Sequence, residues 1–310
     1  MTEISASMVK ELREKTGAGM MDCKTALSQT GSMDGAIKFL REKGLAKAAK
    51  KTDRVAAEGV IALQVEGGRA TMVELNSETD FVARNQDFLN LATNLAKTAM
   101  KFATADAGIF EGSALDNETL VGASSSVAST IVEKIATIGE KITLRRFAAL
   151  TGGAIYGSYL HSNASIGVLV ECGLNDAKHL NAPEVAQAAK DVAMHVAASN
   201  PPFIREQEID KDWVEGERNI FKTQLIAQGK PENMVDKILE GKMKKHMADH
   251  CLLGQPFVKN PDVTVQQMLD EVKAKTGAEI LVKRMVRFKV GEGLAKKEDN
   301  FAEEVAKMTA

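Results

Sequence analysis

In the run Glu78-Thr79-Asp80-Phe81-Val82-Ala83-Arg84-Asn85, a carboxylate stands beside a large aromatic within a polar, turn-prone segment. Such a pair can enter another protein. The ring displaces side chains or solvent, and the carboxylate competes for a cation or a backbone donor. Neither group performs a covalent step alone. Two readings stay open on the residues themselves. Asp80 can cap the following helix by accepting backbone hydrogen bonds, pinning Phe81 outward for a partner, or Phe81 can staple its own core.

Other residues with reactive side chains form weaker patterns. His246, His250 and Cys251 are a compact set of metal-ligating types, with the histidines on one helix face at i, i+4. The adjacent cysteine projects elsewhere and no fourth ligand follows, so no metal site is expected. His161, His179 and His195 lack a serine and aspartate pattern specific to nucleophilic catalysis. His195, within the apolar stretch 194–198, is expected to be packed or hydrogen-bonded. Asp22-Cys23-Lys24 resembles a helix start more than an activated thiol. No Gly-x-x-x-x-Gly-Lys-Ser/Thr loop occurs; Gly17-Ala18-Gly19 and Gly291-Glu292-Gly293 lack the context of a phosphate cradle and are read as turns. Covalent catalysis is therefore not expected.

Composition narrows the classes further. A chain of 310 residues, 44% apolar and 26% charged, has room for two or three packed modules under an ordinary surface. Aromatics at 5% and a net charge of −2 argue against direct nucleic-acid binding. Cys23, Cys172 and Cys251 are too few and too scattered for a disulfide framework. The charged N-terminus lacks a secretory apolar run, and no apolar segment is long enough for a bilayer. A cytoplasmic protein without membrane attachment is expected.

The elements that position these residues follow from periodicity. Residues 5–43 read as three short helices, with Ser5 as a cap, Ser32 near the third start and Gly44 as a left-handed C-cap. A partly helical, basic connector follows over 45–59. Gly59 to Asn76 alternates as two strands around Gly67-Gly68, and Phe88, Leu91, Ala92, Leu95, Ala96 and Ala99 mark a helix. Gly152 to Glu171 repeats the hairpin, and Val185 to Val196 repeats the helix. Between them lie a helix through Val127, Ile131, Val132 and Ile135 and a strand, Ile142–Ala148, read as opening the second half. That strand carries Arg146 as sheet support. Helical patterns continue around Trp213 and Leu225 and from Met234 to Met243. Thr264 is the expected cap of a helix to Lys275, and Glu279–Gly291 alternates as a strand around Leu281, Met285, Phe288 and Val290. Asp299 or Asn300 is the expected cap of a last turn with Phe301, Val305 and Met308.

Across nearly its whole length the chain resembles bacterial elongation factor Ts. The resemblance rests on Val9 to Lys24, on Thr79–Asn85, and on Ile166-Gly167-Val168-Leu169-Val170 with Met194-His195-Val196-Ala197-Ala198. Leu253–Val258 and Val290-Gly291-Glu292-Gly293 extend it to the C-terminal part. It implies an α+β fold: a three-helix ubiquitin-associated-like N-terminal domain with its connector over 1–55, and a duplicated hairpin-helix core in halves 56–148 and 149–262. The second half would carry a projecting helical coiled coil at about 183–228, followed by a C-terminal module over 263–310. It also implies a guanine nucleotide exchange factor for elongation factor Tu in translation elongation, with no cofactor of its own, acting on partner-bound GDP and magnesium.

By the same resemblance, Asp80 and Phe81 displace the partner's magnesium, supported by Thr79, Val82, Arg84 and Asn85. Lys10, Arg13, Met20, Met21 and Lys24 are implied N-terminal contacts; Gly254, Gln255, Phe257, Phe301 and Val305 are implied core and C-terminal contacts. A homodimer through the helical hairpin, in a two-to-two complex, is a further expectation. Two departures stand out: no basic residue precedes Ile166-Gly167-Val168, and the acidic cap before Phe301 differs from the usual aspartate-phenylalanine form. A translation-associated adaptor without exchange activity and an enzyme with a dispersed histidine site remain as alternatives.

Overall fold

The computed structural model describes residues 4–104 and 108–295. The N-terminal stretch forms α1 (Ala6–Thr16), α2 (Met20–Thr30) and α3 (Met33–Ala49). Ser5 and Ser32 cap α1 and α3 as their positions suggest, and Gly17 turns between the first two helices with φ of 64°. Leu12, Cys23, Ala26, Leu27 and Ala36 make a small core of their own. Gly44 is not a cap: α3 continues past it, and the glycine is buried where a Cβ would lie 3.3 Å from Ala136 Cβ. Its small size serves a helix crossing, a pressure that local sequence does not reveal.

The next stretch supplies β1 (Glu58–Glu66), β2 (Arg69–Ser77), α4 (Asp80–Ala83), α5 (Gln86–Ala99), β3 (Gly108–Glu111), α6 (Val127–Ile138) and β4 (Thr143–Thr151). The sheet order is β1-β2-β4-β3, all neighbours antiparallel. Thus β4 does not open the second half. It inserts beside β2 in the first sheet and runs beyond the expected boundary at 148. The short strand β3 was not anticipated.

The second sheet contains β5 (Ile155–Leu160) and β6 (Ile166–Leu174), covered by α7 (Pro183–Ser199). After these come α8 (Lys211–Ala227), α9 (Glu232–His250), the two-stranded ribbon β7 (Pro256–Phe257) with β8 (Asn260–Thr264), α10 (Val265–Thr276) and β9 (Ile280–Lys289). Thr264 caps α10 in a capping box with Gln267. The sheet order β5-β6-β9 brings β9 back against β6.

Two expectations change here. The paired helices are α8 and α9, joined by Leu225, Val235, Leu239 and Met243; α7, placed in the hairpin by the range 183–228, buries Val185, Ala189, Val192 and Val196 in the core instead. Likewise, the stretch from 263 does not stand apart, because β9 is the third strand of the second sheet. Leu281 is exposed, with Ile280 and Val282 facing inward, since a bulge between Val282 and Arg284 shifts the alternation. The expected final helix, including Phe301 and Val305, lies outside the described residues.

Three clusters define four layers. Val60, Val73, Leu75, Phe147 and Ala149 face α5. Ile61, Ala70, Met72, Ala148 and Leu150 face Leu169, Val286 and Phe288 of the other sheet. Val168, Val170, Cys172 and Val282 face α7. Strand alternation thus gives each sheet one helix-facing side and one sheet-facing side. Gly157 permits the close approach of α7: a Cβ there would stand 2.0 Å from the Ala189 carbonyl oxygen.

Candidate functional site

The segment after β2 forms a single helical turn, α4, and then a second helix start. Thr79, not Asp80, is the cap: its side chain accepts from the Val82 N–H, while Asn85 caps α5 by accepting from the Asp87 N–H. A β-region backbone at Thr79 suits the cap position, and Asp80 falls one residue later, inside the turn. Its carboxylate instead meets the Arg84 guanidinium at 2.8 Å, an exposed i, i+4 pair. Ala83 is buried and Val82 packs partly into the α5 core. Phe81 projects the other way, 80% exposed.

The turn is tied to a distant corner of the chain. Glu140 lies in the link between α6 and β4. Its Oε2 accepts from the backbone N–H groups of Glu78 at 3.1 Å and Thr79 at 3.0 Å, and its Oε1 accepts from the Thr79 hydroxyl at 2.6 Å. Glu78 answers with its own carboxylate, accepting from the Lys141 N–H at 2.6 Å and lying 3.2 Å from Arg54 Nη1. The Lys141 ammonium donates to the carbonyls of Thr52 and Arg54 at 2.5 and 2.8 Å, and Lys51 donates to the Gly139 carbonyl. Sequence reasoning missed Glu78, Glu140 and Lys141 as a group. Only the left-handed Gly139 C-cap marks that corner locally.

The N-terminal candidates Lys10, Arg13, Met20, Met21 and Lys24 are exposed. Met20 and Met21 begin α2 at 60% and 71% exposure, an unusual pair of open thioethers. Asp22 behind them accepts from Lys43 at 2.8 Å and Lys47 at 3.2 Å, and these bonds hold its carboxyl below the ordinary carboxylate value.

The candidates after α9 are different. Gln255 is buried and bridges His195 Nε2, at 2.9 Å from its Oε1, to the Asp249 carbonyl, to which its amide donates at 2.7 Å. Phe257 is buried against the α7 core. Their side chains therefore face inward in this chain, and Gly254 lies half-buried, close against Ala248.

The histidines take structural positions. His195 Nδ1 accepts from the Val258 N–H at 3.2 Å, so Nε2 carries the proton donated to Gln255. Burial lowers its pKa, partly opposed by the Gln255 bond. His246 stacks on Trp213 with ring planes 6° apart. Glu217 Oε2 lies 3.1 Å from its Nε2 without hydrogen-bond geometry. His250 bonds through Nδ1 to the His246 carbonyl. Burial pushes the Cys172 thiol up to about 12 and the Cys251 thiol up to about 11, away from thiolate chemistry. Among the described residues, no group of three or more His, Cys, Asp or Glu is placed to hold a metal ion, and no helix is long and apolar enough to cross a membrane.

A protruding aromatic on a stiffly held turn can press into another macromolecule. A family model described as Elongation factor TS matches residues 78–292, from the first residue of this turn to the corner beyond β9.

Proposed function

This chain belongs to the elongation factor Ts family, whose members exchange nucleotide on elongation factor Tu during translation elongation, and on that premise we propose that the Asp80-Phe81 turn performs the exchange. Phe81 wedges between elements bordering the GTPase's magnesium and phosphate site. Asp80, which meets Arg84 in the free chain, disturbs the ion's coordination. With the ion's bridge weakened, the phosphate-binding loop shifts and GDP leaves. Incoming nucleotide then favours the factor-free GTPase. The chain uses no cofactor of its own, because the GDP and the magnesium both belong to the partner, and the setting is cytoplasmic.

The observation that carries this reading is the exposure of Phe81 on a turn whose neighbours Val82 and Ala83 are anchored inward. A wedge must be apolar, protruding and unable to fold back, and this arrangement supplies all three. Lys10, Arg13, Met20, Met21 and Lys24 form a second contact on the GTPase; they precede the family match, which begins at residue 78. Gly254 and the sequence around Phe301 and Val305 are proposed as further contacts. The exposed Ile220, Ile226 and Met234 support pairing of two copies through α8 and α9 in a two-to-two complex, which light scattering of the complex tests.

Exchange is a linkage between two ligands of one GTPase: a factor that weakens nucleotide binding must itself bind the nucleotide-loaded form less tightly. Release of fluorescent GDP from purified elongation factor Tu, with and without this chain, tests the proposal. Acceleration that rises to a plateau is expected. Binding without acceleration would leave an adaptor in its place.

A further inference from the structure

We propose that Glu140 is the positioning residue of the wedge: anchored at the corner between α6 and β4, it fixes the direction in which Phe81 leaves the surface. The inference rests on the exchange reading above and adds to it a residue far away in sequence. A one-turn helix such as α4 has too few internal bonds to hold its own orientation. Something outside it must do so.

The hydrogen-bond pattern identifies that constraint. Glu140 uses both carboxylate oxygens on one short stretch, taking two backbone donors and the Thr79 hydroxyl. That hydroxyl also accepts from the Val82 N–H at 3.4 Å, so the same group that Glu140 orients also caps the turn carrying Phe81. Charge-assisted bonds of this kind are shorter and stronger than neutral ones. The reverse half of the clasp, Glu78 to the Lys141 N–H, prevents the corner from sliding along the turn. Arg54 and the carbonyls of Thr52 and Arg54 attach the connector beyond α3 to the same point. Three separate segments therefore meet behind Phe81, and none of their side chains needs to touch the partner.

Substituting Glu140→Gln keeps the shape but places an amide where one carboxylate oxygen stood. The amide nitrogen can only donate where the carboxylate oxygen accepted, so the charge-assisted bond becomes a reversed, neutral one and the Thr79 hydroxyl proton loses its acceptor. The maximal GDP-release rate from elongation factor Tu is expected to fall roughly tenfold, the effect of losing about one charge-assisted bond. The concentration of chain giving half that rate should stay within about twofold, because the contact surface is unchanged. Thermal unfolding should move little, and the Glu78 and Thr79 amides should exchange hydrogen faster.

A merely structural role would not act through Phe81, and a double-mutant cycle separates the cases. In a Phe81→Ala background, Glu140→Gln is expected to slow release no further. Full additivity of the two substitutions would overturn the proposal, as would a wild-type maximal rate in Glu140→Gln. If Glu140→Ala unfolds the chain, the glutamine variant still decides. A wild-type chain with no effect on GDP release would instead defeat the exchange reading itself, an outcome distinct from a variant that matches an active wild type.

Discussion

Phe81 and Val82 are adjacent apolar residues with opposite fates, and the difference follows from one helical turn. Val82 and Ala83 face β1 and β2, which leaves the ring no inward direction. Phe81→Ala should therefore alter stability by under about 0.5 kcal/mol, as exposed substitutions do, while sharply reducing GDP release; paired melting and stopped-flow measurements check both. The sequence displayed the Asp80-Phe81 pair but not which residue caps the turn. Thr79 and Asp80 are both good capping types, and the choice depends on where the strand ends.

His195 supports a prediction with a definite sign. Its folded pKa lies below the ordinary 6.5 because the ring is buried. As pH falls through that ordinary value, the unfolded chain takes up the proton first, so the folded state loses stability; above it the contribution is complete. Melting temperature should drop between about pH 7 and 5, and His195→Asn, less stable at the start, should lose less over that interval. Equal acid sensitivity in both proteins would remove His195 from the account. That this histidine is packed was legible from its apolar neighbours; its partner Gln255, sixty positions away, was not.

At the scale of elements, one device occurs in both sheets. A buried glutamate in the middle strand, Glu74 or Glu171, faces a bulge in the third strand and binds an arginine there, Arg146 at 2.6 Å or Arg284 at 2.5 Å. Glu74 has more support, from Arg145 at 3.1 Å and the Gly291 N–H at 2.9 Å. Arg284→Met should thus cost about 2 kcal/mol, less than a fully buried pair because the arginine is 40% exposed. Arg145→Met should cost less, since Glu74 keeps Arg146. Chemical denaturation compares them; the reverse ranking would mean that Arg146 and the Gly291 N–H do not hold Glu74 once Arg145 is gone. Both hairpins were legible because Gly67-Gly68 and the polar turn near Asn163 interrupt clear alternation. The return of β9 to β6, and of β4 to β2, was not, because a strand's periodicity names its faces and not its neighbour. The same limit put α7 in the projecting hairpin: an alanine-rich stripe states that a helix is buried, without saying against what.

Across the whole molecule, the three N-terminal helices join the four-layer core through α3 and α6, with Arg41 bonding Ser129 at 3.1 Å beside the Gly44 crossing. Their own core of five small and medium side chains is too slight to make them independent of that docking. Gly44→Leu would drive a side chain into Ala136 and Val132 and push α3 away, while the clusters around α5 and α7 keep their packing. Trypsin should then cut sooner at Lys50, Lys51 or Arg54, with the core surviving and its melting transition almost unmoved. Lys51 and Arg54 also tether the connector to the clasp behind Phe81, so loosening α3 should speed hydrogen exchange at the Thr79 amide. Faster cleavage without any change at Thr79 would show that the helices and the Phe81 turn are held independently. Unchanged cleavage would show that α3 tolerates the added volume and that Gly44 is not the point on which the docking depends.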